Sequence, residues 1–63
     1  MKQRFEAGDR VLKEWAPKAP AGTVVGVQQS KTYEGDDYFV YEVDFDGVVG
    51  RYTSCDLLAL PTN

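Results

Sequence analysis

Sixty-three residues with a net charge of −3, a single cysteine and no histidine set narrow limits on what this chain can be. The length fits one domain, a disulfide within the chain is excluded, and little is left from which to build a zinc site. A chain this short buries only about 60% of the surface its unfolded form exposes, so self-association is the expected supplement to its stability.

The charge is unevenly spread. Residues 1–18 hold Lys2, Arg4, Arg10, Lys13 and Lys18 against Glu6, Asp9 and Glu14. Residues 32–63 set Glu34, Asp36, Asp37, Glu42, Asp44, Asp46 and Asp56 against Arg51 alone. That acidic half opposes the phosphate neutralisation on which nucleic-acid affinity rests, which leaves only the amino-terminal cations as a conceivable patch. The start Met1-Lys2-Gln3-Arg4-Phe5-Glu6 has charges where a signal peptide needs an apolar run. No segment approaches the roughly 20 apolar residues of a membrane span. With its lone cysteine, the chain reads as cytoplasmic.

In chain order, residues 1–6 are expected to be flexible. Gly8-Asp9 opens a first strand from Arg10 to about Glu14, with Val11 as its inward anchor. Pro17 and Pro20 lack ladder donors, so residues 15–22 read as a loop. Thr23 to Gln29 is a β-branched second strand, in which Gly26 signals a bulge. Residues 31–37 form a polar excursion.

The third strand runs from Tyr38 to Phe45 and is the most legible. Phe39, Tyr41, Val43 and Phe45 recur at period two and make one apolar face. A register slip of one residue would bury Glu42 and Asp44, so the pairing is well specified. Asp46-Gly47 is a hairpin turn, because both residues tolerate the positive φ such a turn needs. Strand four follows from Val48 to Tyr52. Ser54 to Leu58 is a single 3-10 turn capped by Ser54 and Asp56, with Cys55 read as a small buried residue. Leu58-Ala59-Leu60 closes the set as a fifth strand.

Four strands, a one-turn helix and a short last strand make an all-β chain whose order resembles SH3-like barrels. The phrases Gly8-Asp9-Arg10-Val11, Gly22-Thr23-Val24-Val25 and Tyr41-x-Val43-x-Phe45-x-Gly47 carry that resemblance over residues 1–63 as one domain. Phe5 to Lys13, Gly22-x-Val24-Val25-Gly26 and Val49-Gly50-Arg51-Tyr52 also look like the type II, plasmid- and integron-borne dihydrofolate reductases. That resemblance implies a homotetramer around a central pore that binds NADPH and a pterin. It places Lys13 as the anion-binding lysine and Val49 and Tyr52 at the ends of the pore-lining run. Arg51 would join them near the pore. Gly50 stands where that family has its glutamine, and glycine offers no side-chain amide to orient the ligands.

No self-sufficient catalytic set is present in the chain. Cys55 has no base to activate it, and Asp44-x-Asp46-Gly47 lacks the later acid of a calcium loop. The better-supported function is binding. Trp15, Tyr33 and Tyr38 fall in or beside the two long loops, next to Asp36 and Asp37. Aromatic faces beside acids suit a protein partner carrying Lys or Arg. The plainer alternative is that these rings only cover apolar surface.

Overall fold

The computed structural model describes residues 3–60. Five antiparallel strands run as β1 (Arg10–Lys13), β2 (Gly22–Lys31), β3 (Asp37–Phe45), β4 (Val48–Thr53) and β5 (Leu57–Ala59). A 3-10 turn, η1 (Ser54–Asp56), joins the last two. They form one sheet in the order β4-β3-β2-β1-β5. No helix among the described residues is long and apolar enough to cross a membrane.

The edges of that sheet are β4 and β5, and η1 links them directly. In a flat sheet they would lie about 19 Å apart, four spacings of about 4.8 Å, whereas a 3-10 segment from Thr53 to Leu57 advances only about 8 Å. The sheet is therefore curled, with η1 packed against β3, β4 and β5. Two local devices bend it. Asp46 and Gly47 take φ of 55° and 86°, the doubly positive pair that matches strand twist, and the Asp44 carboxylate accepts the Gly47 N–H at 2.8 Å. In β2 the register against β3 shifts between Val24 and Gly26, which places the expected bulge where β2 leaves β1.

Curling gathers one side of the sheet into a core of Phe5, Val11, Val24, Tyr41, Val43, Phe45 and Leu57. The alternation read in strand three holds, with Tyr41, Val43 and Phe45 buried and Phe39 half-buried against them. Residues 1 and 2 of the segment expected to be flexible lie outside the described residues. Phe5, however, is 3% exposed and set edge-on to Tyr41 at 5.2 Å. The Tyr41 hydroxyl accepts the backbone N–H of Arg4 at 2.8 Å, which fixes that segment to the core.

Strand ends move by one or two residues from the sequence reading. β2 and β3 extend to the rung Lys31↔Asp37, and β5 begins at Leu57 because Leu57 pairs with Lys13. Cys55 is exposed rather than buried, since Leu57 takes the core position beneath the turn. The turn is capped by Thr53 rather than Ser54, and Asp56 completes the capping box, its carboxylate accepting both the backbone N–H (3.1 Å) and the hydroxyl (3.2 Å) of Thr53.

Candidate functional site

The sequence-predicted residues fall into two separate places. The first is built where the chain leaves β1. Ala16 bridges back to Lys13, with its N–H donating to the Lys13 carbonyl at 3.1 Å, and the Glu14 N–H donates to the Asp56 carbonyl at 2.9 Å. This tight reversal lays Trp15 over β4. Its ring lies 6.1 Å from Tyr52 at an interplanar angle of 30°, and Tyr52 meets Phe45 edge-on at 5.4 Å. Lys13 completes the group, its Nζ 4.8 Å above the Phe45 ring.

Three stacked or edge-packed rings with one cation make a small platform. A ring–ammonium contact between a buried ring and a half-buried lysine contributes on the order of 0.5–2 kcal/mol. Trp15 stays 59% exposed and so offers a free face to solvent. The platform can stack a flat group and attract a negative one, and it contains no acid–base pair.

The second place is the tip of the β2–β3 hairpin. Thr32 organises it: its N–H donates to the Asp36 carbonyl (2.8 Å), its carbonyl accepts the Gly35 N–H (3.0 Å), and its hydroxyl accepts the Asp36 N–H (3.1 Å). At the base of the tip, Lys31 pairs with Asp37 at 2.9 Å. The hydrogen bond and charge of Lys31 hold the Asp37 carboxyl below its ordinary 3.8. Tyr33 projects fully exposed between these bonds, beside Glu34 and Asp36. Tyr38 is half-buried on β3 opposite Ser30.

The tip lies four rungs beyond Val27↔Tyr41↔Tyr52, about 13 Å along the strands. Trp15 thus joins Lys13 and Tyr52, while Tyr33, Asp36, Asp37 and Tyr38 stay together at the far end. Arg51 is set apart from Tyr52 by alternation on β4. It is exposed on the outer face and donates to Gln28 Oε1 at 2.8 Å. Among the described residues no group of three His, Cys, Asp or Glu side chains could hold a metal.

Phe45 entered the sequence reading only as a core residue, and here it carries the Lys13–Tyr52 contact. No periodicity signals that role, because Lys13 on β1 and Tyr52 on β4 come together over Phe45 only in the curled sheet. Compared with family models, curated proteins and solved structures, the chain finds no match in any of the three.

Proposed function

We propose that the chain is an SH3-like barrel that serves as a small binding module for a protein partner carrying basic residues. The strand and turn order, and the three-residue link between the sheet edges, support the barrel reading. The observation that carries the binding reading is the hairpin tip. Backbone bonds around Thr32 hold Tyr33 fully exposed next to Glu34 and Asp36. A large ring presented without burial on an ordered turn suits a contact residue, since little freedom is lost when a partner covers it. Asp37 is already paired with Lys31, so Glu34 and Asp36 supply the charge.

The test is a titration of isotope-labelled protein with an Arg/Lys-rich peptide at about 0.15 M salt, followed by amide shifts. Shifts confined to residues 32–37, and abolished by Tyr33→Ala, are the expected result. Absence of shifts at the tip would overturn the reading.

A second reading is favoured by one observation. Lys13 and Tyr52, assigned to a cofactor pore by the reductase resemblance, both pack on Phe45. A reductase-like tetramer would bind NADPH there, although Arg51 faces away from Tyr52. Fluorescence titration with NADPH decides it, and an unchanged signal at millimolar cofactor dismisses that reading.

A further inference from the structure

We propose that β4 is a self-pairing edge, through which two copies of the chain join their sheets antiparallel about a two-fold axis at Gly50. Among the described residues β4 is one end of the sheet and pairs only with β3. It is six residues long, contains no proline and no acid, and exposes Val48 (71%) and Val49 (55%). Edges are normally blunted by charge, proline or brevity, and here Arg51 is the sole such device.

The two-residue turn decides which backbone groups are free. Phe45 and Val48 flank it directly, so they form a hydrogen-bonded pair, and the pattern alternates from there. Val48, Gly50 and Tyr52 spend their N–H and C=O on β3. Val49, Arg51 and Thr53 aim theirs at the open edge.

Inward side chains must meet inward ones across the new seam, and among the registers that satisfy this, two keep five residues of β4 paired. In one, Arg51 opposes Arg51 of the second copy, a direct like-charge pair, and Tyr52 of the second copy opposes Gly50. That place is already taken: a Cβ at Gly50 would lie 2.8 Å from the Oη and 2.9 Å from the Cε2 of the chain's own Tyr52. In the other register Gly50 opposes Gly50, Val48 opposes Tyr52, and Val49 opposes Arg51 of the second copy. Both problems vanish there.

Charge favours the same register. Arg51 already reaches across β3 to Gln28 on β2. The same reach in the other direction crosses Val49 of the second copy to Asp44, which is paired with that Val49. A neutral acceptor is exchanged for a carboxylate. The partner is therefore a second copy of this chain, and the inference is independent of the hairpin-tip reading. A single strand pair is a small interface, so the dimer is concentration-dependent.

The experiment is sedimentation equilibrium of the wild type and of Val49→Pro, across concentrations up to millimolar. Val49→Pro removes a donor aimed at the open edge and none used by β3, so it leaves the fold and abolishes the dimer. Should that variant unfold, Val49→Lys serves instead. Asp44 accommodates the new cation within the chain, while Arg51 of the second copy repels it, and the dimer dissociation constant rises at least about tenfold. In a Cys55→Ser background, mixed Val49→Cys and Arg51→Cys proteins should form a heterodisulfide on oxidation, and neither alone should cross-link. A wild type that stays monomeric throughout, a dimer indifferent to these substitutions, or cross-linking by Arg51→Cys alone would overturn the proposal.

Discussion

The hydroxyl of Tyr41, a fully buried residue on β3, accepts the backbone N–H of Arg4 at 2.8 Å and that of Phe5 at 3.4 Å. One phenol oxygen thereby ties the start of the chain to the middle of the sheet. Tyr41→Phe keeps the ring and its contact with Phe5 but strands those donors, at a cost of about 1–3 kcal/mol. Urea denaturation should register the loss, and amide exchange at Phe5 should quicken relative to that of Val43.

Gly22 begins β2 directly against the Phe45 ring. A Cβ there would sit 2.6 Å from Phe45 Cδ1 and 2.8 Å from the Asp44 carbonyl oxygen. Gly22→Ala should cost about 1–3 kcal/mol, since backbone on one side leaves only the ring to move. Because Phe45 supports Tyr52, and Tyr52 supports Trp15, the substitution should also alter Trp15 fluorescence. An unchanged melting temperature would contradict the close approach.

Trp15 and Tyr33 are both exposed, yet their removal should differ. Trp15→Ala deletes a stacked ring and should destabilise by about 0.5–1.5 kcal/mol. Tyr33 touches no aromatic partner among the described residues, so Tyr33→Ala should leave stability within about 0.5 kcal/mol. Thermal melts of the two variants side by side test the distinction.

The Lys31–Asp37 pair gives a pH dependence of known sign. The folded chain holds the Asp37 carboxyl below 3.8, so the pair's stabilisation is fully present above that pH. It is lost as the pH falls through the lower folded value. In Lys31→Ala, an NMR titration of Asp37 should move upward toward the ordinary 3.8.

The β3 pattern was readable because four apolar side chains at period two meet a twisted, half-buried surface, and Asp46-Gly47 is chemically committed to its turn. The bulge at Gly26 was readable for a similar reason. Phe5 was not, since a lone aromatic among charges has no period to announce its burial. Its place depends on the Tyr41 hydroxyl, 36 positions away. The candidate site divides in the same way. The acidic, aromatic tip was visible as composition in residues 31–37, whereas the Trp15–Tyr52–Phe45–Lys13 group arises from a loop reversal at Ala16 that no local signal encodes.

The link through η1 between the two sheet edges also bears on how the chain reaches its folded state. β2, β3 and β4 are joined by short turns and can zip up sequentially, at small entropic cost for each closure. The pairing of Val11 with Ala59 instead closes a loop of about three-quarters of the chain. It offers only two short strands in return. Docking β1 against β5 is thus the late event, after the barrier, and Val11 or Leu57 substitutions should chiefly accelerate unfolding. Substitutions at Val43 or in the Asp46-Gly47 turn should slow folding instead. A chevron analysis of the four would show a meander that forms early and a terminal clasp that decides how long the folded molecule lasts.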